Sequence, residues 1–155
     1  MDGLGAYRHG SRWSAPGAFR CVNLSTAADT AWQESHALAA YYGFKEAVLQ
    51  PRVLAGVQLK LQRVLNLLDQ AALAVELGLP EILAEDWHQA NDGGGESLGQ
   101  ALGRAGHHLG IEALLVPSAQ VKGGGNIVVF PECLRSLSRM QVIGDEELDK
   151  WLKKE

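Results

Sequence analysis

The sequence predicts a single mixed α/β domain, and three observations lead there. Segments with strand and helix patterning alternate along the 155 residues, without internal repeats or low-complexity linkers. One nine-residue run has period-two spacing, and one amphipathic stretch carries its own start and stop residues. A chain of this length with 46% apolar content is large enough to bury one core, so residues 1–155 are read as one domain.

Taken in order, Pro16-Gly17 marks a turn, and Phe19 to Leu24 reads as a short strand. Thr26 with Asp29 three residues on resembles a helix-starting cap, and the helix runs to about Tyr42 and stops at Gly43. Val53, Ala55, Val57, Leu59 and Leu61 alternate with their neighbours, the clearest strand pattern in the chain. Between Asp69 and Asp86 a helical stretch is divided by Gly78 and Pro80, because glycine ends one helix and proline suits the start of the next. Asn91 to Glu96 reads as a polar, glycine-rich loop. Ser97 and Gln100 have capping-box spacing, and Leu98, Ala101, Leu102, Ala105 and Leu109 share one face of the helix that follows, up to Gly110. Glu112 to Val116 and Asn126 to Phe130 read as strands flanking a loop at Lys122 to Gly125, and a closing helix starts near Asp145.

Composition excludes several functions. The formal charge of -4, without a Lys/Arg cluster, argues against binding nucleic acid through its phosphates. Lys150, Lys153 and Lys154 suit the C-terminal end of a last helix, and Asp145, Glu146 and Glu147 its start. Cys21 and Cys133 are too few for a disulfide framework or zinc cluster and read as buried, reduced thiols. No apolar run approaches the length of a membrane span and no signal-peptide core opens the chain, so a cytoplasmic location is expected.

Four residues invite a chemical reading. Glu34 follows Ala31 by three and precedes Leu38 by four, which sets a carboxylate on the face turned toward the core. Such a group is held by a salt bridge, sits at a helix edge, or serves a function. Arg12 lies in a Gly- and Ser-rich turn, either as a solvated turn residue or as a fork for paired hydrogen bonds to a phosphate. Trp13 beside it is either a core anchor or a stacking platform. Ser118 stands just past a strand end, where it contacts a ligand or caps the next turn; no local Ser-elbow pattern or His/Asp partner supports it as a nucleophile. Gly93-Gly94-Gly95 and Gly123-Gly124-Gly125 match no dinucleotide or P-loop spacing, and Asp86, His88, His107 and His108 match no metal-site signature, so no metal is expected.

Gly10-Ser11-Arg12-Trp13, Glu34 and Val116-Pro117-Ser118-Ala119 together resemble the RES domain, named for its arginine, glutamate and serine. The resemblance continues through Leu65 to Asp69, Gln100 to Gly103 and Asn126 to Pro131, and spans about Gly3 to Leu134. It implies a fold related to the ADP-ribosyltransferases and a bacterial toxin that consumes NAD, restrained by an Xre-like antitoxin covering the cleft, without contact to nucleic acid or membrane. NAD would be a substrate whose nicotinamide N-glycosidic bond is cleaved. Arg12 would hold its pyrophosphate, Glu34 would stabilise the ribosyl cation, and Ser118 would fix the nicotinamide-ribose end. Tyr7, Trp13 and Asn126 are implied as supporting contacts. Phosphate or water is the expected acceptor; the alternatives are transfer of ADP-ribose to a specific protein, and an inactive module that only binds the antitoxin. Two departures from the family bear on activity: its additional N-terminal strand with a further arginine is not expected in these residues, so that either Arg8 or Tyr7 compensates or the true start lies upstream, and Asn23 stands where a tyrosine is usual.

Overall fold

A computed structural model describes residues 1–45 and 53–143. It contains helix α1 (Leu4–His9), strand β1 (Val22–Ser25), helix α2 (Ala28–Tyr41), strands β2 (Gly56–Lys60) and β3 (Val64–Asn66), helices α3 (Ala71–Glu76), α4 (Leu79–Ala84), α5 (Trp87–Asp92) and α6 (Leu98–His108), and strands β4 (Ala113–Pro117), β5 (Gly125–Val129) and β6 (Arg139–Ile143). The expected helix near Asp145 lies outside the described residues. Mixed α/β architecture is thus observed.

Four strands form the main sheet in the order β1-β5-β4-β3, with β3 parallel to β4 and the other pairs antiparallel. The buried strands β4 and β5 carry the core: Leu114, Val116, Val128, Val129 and the following Phe130 are fully buried. Trp13, Phe19, Leu67, Leu79 and Ile82 pack against them, so loop and helix residues close one side of this sheet. A separate antiparallel ribbon pairs β2 with β6, from Gly56 opposite Ile143 to Lys60 opposite Arg139. The strand predicted over 53–61 is therefore a shorter ribbon strand. Its partner β6 and the three-residue β3 carried too little periodicity to be recognised.

Glu112 ties ribbon to sheet. Its buried carboxylate accepts from the Ser138 hydroxyl at 2.6 Å, Arg135 N at 2.8 Å, Arg63 N at 2.9 Å and Gln62 N. Burial alone would raise its pKa, but the hydrogen bonds from Ser138 and the backbones of Arg63, Arg135 and Gln62 outweigh it and hold the group at about 2.

Both principal helices end as the sequence predicts. Gly43, at φ 69°, lets Gly43 N reach Ala40 O and Phe44 N reach Ala39 O, the paired bonds of a Schellman motif; Gly110 ends α6 in the same way. The N-terminus of α2 differs: Ala27 is the cap, and Thr26 Oγ1 donates instead to Gly125 O, which fastens the helix start to β5. Helix α5 occupies part of the segment expected as a loop, because Asp86 caps it by accepting from His88 N and Gln89 N.

The capping box of α6 is present, but its buried face is not the leucine face. Leu98 and Leu109 are exposed, whereas Gly99, Gln100, Gly103 and Gly106 are buried. The cause is a close approach of backbone to backbone. A Cβ on Gly103 would lie 1.9 Å from Trp13 O, and one on Gly99 2.5 Å from Arg12 O, so only glycine fits.

Candidate active site

The β4–β5 hairpin and the middle of α2 meet at a polar cluster. Asn126 on β5 stands opposite Ser25 on β1 and Val116 on β4, and Ser118 follows β4 directly, anchored by Ser118 N donating to Gly124 O at 2.8 Å. Glu34 projects from α2 into this corner. Its Oε1 accepts from Ser118 Oγ at 2.6 Å and from Asn126 Nδ2 at 2.7 Å. The Asn126 amide is itself oriented, since Ser25 Oγ donates to Asn126 Oδ1 at 2.8 Å. The relay Ser25-Asn126-Glu34-Ser118 fixes one carboxylate oxygen and leaves Oε2 without a hydrogen bond among the described residues. Glu34, Ser118 and Asn126 are all half-buried, so the cluster opens to the surface.

The reason Glu34 faces inward differs from the expectation. Leu38, assigned to the same inward face, is 49% exposed. Helix α2 packs at its first turns through Thr30, which is buried and which a Cβ on Gly124 would meet at 2.9 Å from Oγ1; in its last turns Ala39 is buried while Leu38 and Tyr41 are exposed. Glu34 lies one turn beyond Thr30 on the same face of the helix.

Arg12 is anchored on helix α4. Its Nη1 donates to Ile82 O at 2.7 Å and Glu85 O at 2.9 Å, satisfying the carbonyl end of α4. Burial lowers its pKa from the usual value, and the charges of Glu34, Glu85 and Asp86 act against that, which places Glu34 within electrostatic reach. Gln100 steadies the Arg12 loop: its Nε2 donates to Ser11 O at 2.9 Å and to Asn91 Oδ1 at 2.8 Å. Sequence reading gave Gln100 as a cap and as part of the family resemblance, without a role at the Arg12 loop. Its burial against Ser11, like the relay role of Ser25, depends on long-range packing that no local pattern encodes.

The remaining assignments divide. Ser118 has its hydroxyl on Glu34 and accepts from Gln120 N and Val121 N at 3.1 and 3.0 Å, so it both caps its turn and positions the carboxylate. Trp13 is only 5% exposed and sits in the core cluster, which removes its ring from any ligand surface and corrects the stacking assignment. Tyr7 is 41% exposed on α1, and no hydrogen bond joins it to Glu34 among the described residues. Asn23 Nδ2 points to Cys21 Sγ at 3.9 Å. Cys21 is buried as expected, with its thiol pKa pushed up by burial, but Cys133 is only half-buried. His107 stacks on Phe19 and pairs with Glu132, while His88 packs among aromatic rings; no group of three or more His, Cys, Asp or Glu suited to a metal ion is assembled among the described residues. No described helix is long and apolar enough to cross a membrane.

A carboxylate with one oxygen fixed by two donors and the other open is an arrangement that stabilises positive charge developing beside it. The sequence matches the RES domain over residues 1–151, and the chain belongs to that family. Its structure is similar to a chain of the crystal structure of the M. tuberculosis MbcT-MbcA toxin-antitoxin complex, with a TM-score of 0.67 and 28% identity over 92% of this chain and 74% of that one. No curated protein is similar enough to match.

Proposed function

We propose that this protein is the toxin of a toxin-antitoxin pair and that it cleaves the N-glycosidic bond joining nicotinamide to ribose in NAD. The observation that carries this reading is the Glu34 carboxylate held by Ser118 and Asn126 at 2.6 and 2.7 Å, in a chain of the RES family. As the bond from C1 of the ribose to nicotinamide breaks, the electron pair leaves with the ring and positive charge grows on the ribose. Glu34 stabilises that charge or orders the ribose hydroxyls. Arg12, through the part of its guanidinium not engaged with Ile82 and Glu85, neutralises the pyrophosphate. Phosphate or water then bonds to C1, releasing a proton to solvent. Ser118 acts as a positioning residue because its hydroxyl is committed to Glu34.

The likeness to a chain of a toxin-antitoxin complex supports a protein partner, which we assign as an Xre-like antitoxin covering the cleft of a cytoplasmic enzyme. Purified protein incubated with adenylate-labelled NAD tests the reaction and its acceptor together. ADP-ribose 1-phosphate in phosphate buffer identifies phosphorolysis, free ADP-ribose identifies hydrolysis, and a discrete labelled protein after addition of cell extract identifies protein transfer. Intact NAD under all three conditions contradicts the proposal.

A further inference from the structure

Ser25 stands outside the residues that the family resemblance names, yet it begins the chain of hydrogen bonds that ends at Glu34. Its place follows from the strand. Leu24 packs against the cluster of Ala113 and Val129, alongside Leu59 and Met140 of the ribbon, so the period-two alternation of β1 turns Ser25 to the opposite face of the sheet. Ser25 pairs with Asn126 in the β1–β5 register, and just beyond it Thr26 N and Thr26 Oγ1 both donate to Gly125 O, at 2.9 and 3.1 Å. The main chain around the pair is therefore fixed, and the Ser25 hydroxyl is held within reach of one amide.

An asparagine amide presents an oxygen or, after a half-turn about its last torsion, a nitrogen in nearly the same place. The choice matters here. With Nδ2 toward Glu34 the contact is a charge-assisted hydrogen bond at 2.7 Å, whereas Oδ1 there would set two acceptors against each other. Ser25 Oγ donates to Oδ1 at 2.8 Å, and neither atom has another side-chain partner among the described residues. Glu34 holds one end of the amide and Ser25 the other, which fixes the plane as well as the direction of the group.

We infer that Ser25 is a positioning residue for the reaction: it locks the Asn126 amide with Nδ2 toward Glu34, and so sets the carboxylate that faces the developing ribosyl charge. This rests on the proposed NAD chemistry. Ser25 acts through Asn126 and bonds to neither Glu34 nor Ser118 among the described residues, so its loss lowers kcat rather than weakening substrate binding.

Kinetics of nicotinamide release and NMR of the purified full chain test this together. Ser25→Ala should lower kcat about fivefold to tenfold with KM little changed, and Ser25→Thr, which keeps the hydroxyl on a residue suited to a strand, should restore it. In an Asn126→Ala background, Ser25→Ala should cost nothing further, whereas independent roles would multiply. The Asn126 side-chain NH2, identified by its absence from the spectrum of Asn126→Ala, should exchange with solvent about fivefold to tenfold faster in Ser25→Ala and not in Ser25→Thr. Unchanged exchange in Ser25→Ala overturns the inference whether or not NAD is cleaved. So does a kcat that stays unchanged, falls equally in Ser25→Thr, or falls further in the double variant than in Asn126→Ala. Faster exchange without NAD cleavage by any chain upholds the lock on Asn126 and overturns the proposed reaction.

Discussion

Glu34 Oε1 and Ser118 Oγ lie 2.6 Å apart although 84 residues separate them in the chain. A bond this short between a hydroxyl donor and a carboxylate acceptor is of the charge-assisted kind. It couples helix α2 to the β4–β5 hairpin. Asn126, held by Ser25, completes the arrangement, so two donors converge on one Glu34 oxygen.

Ser118→Ala removes the donor to Glu34 and the acceptor for Gln120 N and Val121 N. The expected outcome is a fall in kcat for nicotinamide release of about tenfold to a hundredfold, with a smaller change in KM. A loss confined to KM would instead assign Ser118 to substrate binding.

Arg12→Lys retains charge but not the fork that reaches both Ile82 O and Glu85 O. Stability should fall by about 1–2 kcal/mol, read from urea unfolding, and KM for NAD should rise. Raised KM without lower stability would show that the bonds to α4 are dispensable.

Gly103→Ala sets a methyl group 1.9 Å from Trp13 O. Helix α6 must then move from the Arg12 loop, at a cost of about 3 kcal/mol. Gly5→Ala is the control, because a Cβ there meets nothing within 4 Å, and a helical glycine replaced by alanine gains about 0.5–1 kcal/mol. Thermal unfolding of the two variants should shift in opposite directions.

Glu112 sets an acid limit on stability. Its folded pKa of about 2 lies below its ordinary 4.5, so its contribution is complete above about pH 4.5 and is lost as pH falls toward 2. Glu112→Gln should destabilise by about 3 kcal/mol near neutrality, since four donors lose a carboxylate partner and an amide meets them. The gap in melting temperature between the two chains should hold from pH 7 to 5 and narrow below 4.5. A gap independent of pH would show that the carboxylate charge is not what the donors require.

What was legible in the sequence follows from how local each signal is. The α6 capping box, the glycine stops at Gly43 and Gly110, and the break at Gly78-Pro80 are backbone effects decided within one turn, and all are present. The leucine face of α6 misled because apolar spacing assumes packing through side chains, whereas this helix packs through Gly99 and Gly103 onto the main chain of Arg12 and Trp13. Glu34, Ser118 and Asn126 could be named from the family motif, yet their union at one oxygen depends on the register that sets Ser25 against Asn126. Trp13, adjacent to Arg12, gave no local sign of whether it faced the core or a ligand, and the fold puts it in the core.

The central claim is tested most directly by nicotinamide release from NAD, comparing the unmodified chain with Glu34→Gln, in which Oε1 still accepts from Ser118 and Asn126 but the charge is gone. The account predicts release by the unmodified protein and a loss of about a hundredfold or more in the variant, with folding unchanged. Equal release by the two chains, or none by the unmodified protein, would contradict it.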